Sequence, residues 1–123
     1  MFEVSVRGKF SAAHRLRGYQ GKCSRMHGHN WYVEVRLQSE GLSETGMVMD
    51  FGELKGILNE VLERLDHRFI NGTPPFDRIN PTSENMAKWI FQQLKTRVSG
   101  LKGVRISRVT VQESEGVSAS YWE

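Results

Sequence analysis

Two segments of this chain alternate apolar and polar residues with a period of two, and both run into histidine on the apolar side. In FEVSVRGKFSAAH, Phe2, Val4, Val6, Phe10, Ala12 and His14 share one parity, and Glu3, Ser5, Arg7, Lys9 and Ser11 take the other. In HGHNWYVEVRLQ, His27, His29, Trp31, Val33, Val35 and Leu37 share one face, and Asn30, Tyr32, Glu34, Arg36 and Gln38 the opposite one. Such alternation marks half-buried strands. His14 ends the first strand and His27 and His29 begin the second. An antiparallel hairpin would therefore bring three imidazoles together at one end of a sheet. The connection between them, residues 15–26, is long for a hairpin, and long connections tend to be functional or disordered.

The remaining elements follow from spacing and punctuation. Asp50 with Glu53 resembles a capping box, and behind it Leu54, Ile57, Leu58, Val61, Leu62 and Leu65 recur at helical intervals, predicting a helix that ends near Asp66-His67. RFINGTPPFDRINP reads as a loop, with Asn71-Gly72 and Pro74-Pro75 as breakers. A second helix is expected to start at Thr82 or Ser83. It runs through Met86, Trp89, Ile90 and Leu94 to about Val98, where Ser99-Gly100 stops it. VRISRVTVQE and VSASYW then form two strands joined by a tight turn at Glu115-Gly116. The order is ββααββ, an α+β layout, and the 123 residues 1–123 fit a single domain. Four strands are too few to close a barrel, so the outer strands would expose pairing edges and subunits would pair edge to edge.

Composition narrows the setting. MFEVSVRGKF holds no long apolar run, so neither a signal peptide nor a membrane span is expected. Cys23 is the only cysteine, so it has no internal disulfide partner; it reads as a free thiol or metal ligand in a reducing compartment, and the cytoplasm is expected. The formal charge is +3, but residues 1–25 carry Arg7, Lys9, Arg15, Arg17, Lys22 and Arg25 against Glu3 alone. That excess beside Cys23 reads either as a solvated face or as an anion site such as one for phosphates. No run of basic and aromatic residues resembles a nucleic-acid module, so no nucleic-acid partner is expected.

The chemistry-bearing residues have competing readings. Three converging imidazoles suit a tetrahedral metal, with zinc as the expected ion; the bland reading is a satisfied polar cluster. Cys23 either closes the site as a fourth ligand or lies beside an open metal as a reactive thiolate. Asp66-His67 either terminates a helix or pairs a carboxylate with an imidazole for proton transfer. Glu113 follows Val109 and Val111 on the inward parity and needs a partner there: an internal Arg or backbone N–H, or a ligand's pair of parallel N–H groups.

"FSAAHRL", "CSRMHGHN", "MDFGELK", "LDHRFIN", "NPTSEN" and "VTVQES" together resemble the 6-pyruvoyltetrahydropterin synthase family over nearly the whole chain. The three residues between Cys23 and His27 are most similar to the spacing of its bacterial branch, the 6-carboxytetrahydropterin synthases of queuosine biosynthesis. The resemblance implies the tunnelling fold, an antiparallel sheet with two helices packed on one face, and trimers stacked into hexamers with shared sites. It implies zinc on His14, His27 and His29, with Cys23 as catalytic base rather than ligand. Asp66 and His67 would be the proton-relay pair, and Glu113 the pterin anchor, also counted with the catalytic residues. Thr82 and Ser83 would frame the pterin, and basic residues such as Arg25 would meet the phosphates. The implied activity is that of a lyase acting on 7,8-dihydroneopterin triphosphate to give 6-carboxytetrahydropterin, acetaldehyde and triphosphate. Pyruvoyl production without side-chain loss is the neighbouring alternative, and a structural zinc module the rival from another class.

Overall fold

A computed structural model describes all residues 1–123. Strands β1 (Phe2–His14), β2 (His27–Ser39), β3 (Val104–Ser114) and β4 (Val117–Tyr121) form one antiparallel sheet in the order β1-β2-β3-β4. Helices α1 (Phe51–Glu63) and α2 (Ser83–Val98) lie between β2 and β3 in sequence. Helix α1 packs on β1, and α2 on β3 and β4. Both helices cover the same sheet face, as the alternation requires. Val6, Phe10, Trp31, Val33, Val35, Leu37, Val109 and Val111 join the inward rows of both helices in one buried cluster of 25 residues. Across the sheet, Arg7 and Arg36 bind the Glu34 carboxylate at 3.0 and 2.7 Å on the solvated side. No helix is long and apolar enough to cross a membrane.

Each helix begins where its cap is encoded. The Asp50 carboxylate accepts the Glu53 N–H at 2.9 Å, and the Thr82 hydroxyl accepts the Asn85 N–H at 3.1 Å. The end of α1 differs from the spacing-based expectation. The helix stops at Glu63, and Asp66-His67 lies beyond it in a turn. The apolar period continues to Leu65, which is fully buried, but the backbone then leaves the helix to bond β1. The Asp66 carboxylate accepts the Ser11 N–H at 2.8 Å, and the His67 N–H donates to the Ser11 carbonyl, with His67 at φ 55°.

That departure also changes the expected open edge of β1. Ala13 donates to the Arg68 carbonyl at 3.0 Å and pairs with Phe69 in an isolated parallel bridge. From Ser11 onward the outer edge of β1 is therefore covered by the segment after α1. No bond from outside the sheet reaches the backbone of Glu3–Lys9, so this earlier part of the edge stays open.

Gly8 sits on the inward parity of β1 at the point where α1 crosses it. A Cβ there would meet Leu62 Cδ1 at 2.9 Å, Leu58 Cδ2 at 3.2 Å and Asn59 Oδ1 at 3.3 Å. Gly8→Val should push α1 off the sheet and cost about 1–3 kcal/mol by overpacking. Urea unfolding of the two proteins checks this; equal midpoints would show that the crossing tolerates a side chain.

Candidate metal centre and active site

The β1–β2 register sets His14 directly opposite His27, and Ala12 opposite His29. All three rings thus rise from the inward face at the sheet end, with centroids 4.6 Å (His14–His27), 4.7 Å (His27–His29) and 5.6 Å (His14–His29) apart. The fully buried Trp31 forms the floor, edge-on to His14 at 4.8 Å and to His29 at 5.1 Å. Glu113 arrives from β3. Gln112 pairs with Ser118 and Ser114 with Val117, so the ladder skips Glu113. A bulge of this kind re-aims a side chain. Its Oε1 lies 3.3 Å from His14 Nε2 and 3.4 Å from His29 Nε2.

Hydrogen bonding decides which ring atoms are free. His14 Nδ1 donates to the Pro81 carbonyl at 2.8 Å, and His27 Nδ1 to the Arg25 carbonyl at 2.7 Å. Carbonyls only accept, so both protons of the neutral rings sit on Nδ1. The two Nε2 atoms then face each other across 3.0 Å as bare lone pairs. A proton between them is disfavoured: burial holds the His14 ring below the ordinary histidine value. The nearby His27 and His29 push the same way, against the Pro81 carbonyl and Glu113. His29 is also lowered, first by burial, with Glu113 opposing and His27 assisting. Facing lone pairs on neutral imidazoles are a demand for a Lewis-acidic cation. His14, His27, His29 and Glu113 offer one donor atom each within 4.8 Å of one another, so the residues present fit a metal ion.

Cys23 is not in that donor group. It lies on a 3-10 turn, Lys22–Ser24, in the long connection, half-buried, with its carbonyl accepting the Leu16 N–H at 2.8 Å. Asp66 Oδ2 meets His67 Nδ1 at 2.9 Å, and the His67 side chain is 83% exposed. The Asp66 carboxyl is held below its usual range, first by the Ser11 N–H and then by the His67 ring. Thr82 and Ser83 follow Pro81, which ties the start of α2 to His14. Arg25 is exposed, with its carbonyl engaged by His27. Arg17, within the basic stretch, is committed elsewhere: its guanidinium donates to the carbonyls of Phe76 and Ile79, both at 2.8 Å. The periodic patterns gave no sign of Asn71, Asn80 or the Pro81 carbonyl, because each acts through a single long-range hydrogen-bonding group; Asn71-Gly72 had read only as a breaker.

The sequence matches the model of the 6-pyruvoyl tetrahydropterin synthase family over residues 3–123. The chain belongs to this family. It is therefore a member of an enzyme family, and the four-stranded sheet with two helices is that family's fold. A Synechocystis protein named 6-carboxy-5,6,7,8-tetrahydropterin synthase is 43% identical over 103 residues, 79% of this chain and 78% of that protein. An Aquifex aeolicus protein of the same name is 31% identical across 99% of this chain and 98% of its own. Among solved structures, Caenorhabditis elegans 6-pyruvoyl tetrahydropterin synthase superposes with a TM-score of 0.88 at 31% identity, covering 99% of this chain and 95% of that one.

The lowered His14 and His29 fix the sign of a pH effect. Between their folded values and the unstructured value near 6.5, the unfolded chain binds more protons, so acid favours unfolding. The metal-free protein should lose stability as pH falls from about 7.5 through 6.5 toward 5.5, and His14→Asn should remove part of that dependence. Urea midpoints across the range report it; midpoints that stay flat would contradict the burial of neutral rings.

Proposed function

We propose that this chain is a zinc-dependent lyase converting 7,8-dihydroneopterin triphosphate and one water into 6-carboxytetrahydropterin, acetaldehyde and triphosphate, in the queuosine branch of 7-deazapurine synthesis. The observation that carries the proposal is the meeting of the bare His14 and His27 Nε2 atoms with the His29 ring, at the end of a loop bearing a thiol outside the donor group. The carboxy assignment is supported by the relatives of that name and by the short Cys23–His27 spacing. A free thiol in the only cysteine is consistent with a cytoplasmic enzyme.

His14, His27 and His29 would hold zinc, which supplies Lewis acidity toward side-chain oxygens of the substrate and so acidifies the adjacent C–H bond. The Cys23 thiolate takes that proton. His67, oriented by Asp66 at 2.9 Å, moves protons at the neighbouring carbon. The Glu113 carboxylate accepts two parallel N–H groups of the pterin, turning from its contacts with His14 and His29 to do so. Thr82 and Ser83 frame the ring, and Arg25 meets phosphate from the exposed loop. The exposed His67 and the open edges of β4 and Glu3–Lys9 support sites shared between subunits, in a trimer or a pair of stacked trimers. A solution mass near the 14.1 kDa of one chain would contradict that assembly.

A second reading is supported by the Caenorhabditis elegans likeness: the same residues would yield the pyruvoyl product, with no carbon lost. Incubation with dihydroneopterin triphosphate separates the two. Acetaldehyde with 6-carboxytetrahydropterin is expected; a pyruvoyl product would move the chain to the other branch, and no turnover would leave a zinc module. Cys23→Ala should keep zinc and lose about 10²–10⁴ in rate; loss of zinc would make the thiol a ligand. Glu113→Ala should keep zinc and raise KM about ten-fold or more, the signature of lost substrate binding. Metal analysis of that variant decides whether its contacts with His14 and His29 amount to ligation.

A further inference from the structure

Beyond His14, where β1 ends, the backbone of residues 15–17 has no strand beside it. Arg15 and Arg17 turn their backbone groups to one side and Leu16 turns its N–H to the other. On the first side the partners are two side-chain amides. Asn71 Oδ1 accepts the Arg15 N–H at 2.9 Å, and Asn71 Nδ2 donates to the Arg15 carbonyl at 2.9 Å. Asn80 repeats the pattern on Arg17, at 2.8 and 3.1 Å. A side-chain amide carries the same donor and acceptor as a peptide group, so each asparagine stands in for one residue of a missing strand. On the second side Leu16 donates to the carbonyl of Cys23 at 2.8 Å. The cysteine is thus tethered to the one residue whose two neighbours are both gripped.

Both asparagines are themselves held. Asn71 is buried in the middle of the 3-10 turn Ile70–Gly72. Asn80 precedes Pro81, which restricts its backbone to extended conformations, and its carbonyl accepts from Asn85 Nδ2 and the Thr82 N–H at 2.9 and 2.8 Å. The Arg17 guanidinium closes the same loop through Phe76 and Ile79. Only Asn80 has a second reach. The next carbonyl, that of Pro81, accepts from His14 Nδ1–H and so leaves Nε2 bare.

We propose that Asn71 and Asn80 are positioning residues: a pair of amides that fixes Cys23 through Leu16, with Asn80 also fixing the carbonyl that orients His14. The catalytic role of Cys23 comes from the function proposed above; the placement of the loop does not depend on it.

Hydrogen exchange at the Leu16 amide, zinc affinity and steady-state kinetics of Asn71→Ala and Asn80→Ala test the pair. Leu16 exchange should rise about ten-fold or more in both variants, while the core amides of Val35 and Val111 keep their protection. Zinc affinity should fall about ten-fold in Asn80→Ala alone, the usual scale for losing an outer partner of a metal ligand. With dihydroneopterin triphosphate, kcat should drop about ten-fold or more at little change in KM, as for a misplaced catalytic group. Asn71→Asp and Asn80→Asp keep the accepting oxygen but set a second acceptor against the Arg15 or Arg17 carbonyl; they carry the same measurements if an alanine variant fails to fold, and Leu16 exchange should rise in them too. Unchanged Leu16 protection, or equal loss at Leu16 and in the core, would overturn the proposal. So would zinc affinity falling equally in both variants. A chain that does not turn over this substrate would sink the proposed function, while the exchange and zinc measurements would still decide the clamp.

Discussion

The His14–His27 pair across the β1–β2 ladder is the contact on which the rest depends. Strand pairing places the two rings opposite each other, and two carbonyls accept from their Nδ1–H groups, leaving Nε2 lone pairs 3.0 Å apart. Without a cation this is an electrostatic conflict at the edge of the core; with one it is a binding site. A slip of one residue in the register would turn every inward side chain outward. The hydrophobic row from Val6 to Ala12 and from Trp31 to Leu37 therefore fixes the metal group as firmly as it fixes the core.

The site is assembled from segments distant in sequence, each with its own reason to be there. Trp31 continues the inward row beneath the imidazoles, and the break in the β3–β4 ladder at Glu113 turns a carboxylate toward them. Asp66 and His67 stand outside this donor group, in the turn after α1, held to the edge of β1 by Ser11. Acidic Glu113 lies against the rings, while Arg25 and Lys22 are exposed on the connecting loop. Arg17 is chemically similar to these cations but serves the fold, its guanidinium bonding two backbone carbonyls.

What could be read beforehand was whatever repeats. The strands, the inward rows of both helices and the meeting of three histidines follow from periods of two and 3.6, the Asp50 cap from its capping box, and the structure has them at those positions. The end of α1 was harder to read because Leu65 keeps the helical period after the backbone has left it. The covering of the end of β1 and of residues 15–17 beyond it could not be read at all. It rests on one carboxylate, two amides and a few carbonyls from residues 66–80, single groups acting over more than fifty residues of sequence. Cys23 is an intermediate case: its presence was plain, but whether its sulfur joined the imidazoles depended on the path of residues 15–26.

Zinc K-edge absorption on the metal-loaded protein tests the central claim most directly, since it reads the donor atoms without assuming any activity. Three imidazoles with oxygen completing the shell predict nitrogen and oxygen scatterers only. A sulfur shell at about 2.3 Å would place the Cys23 thiolate on the metal and contradict the account.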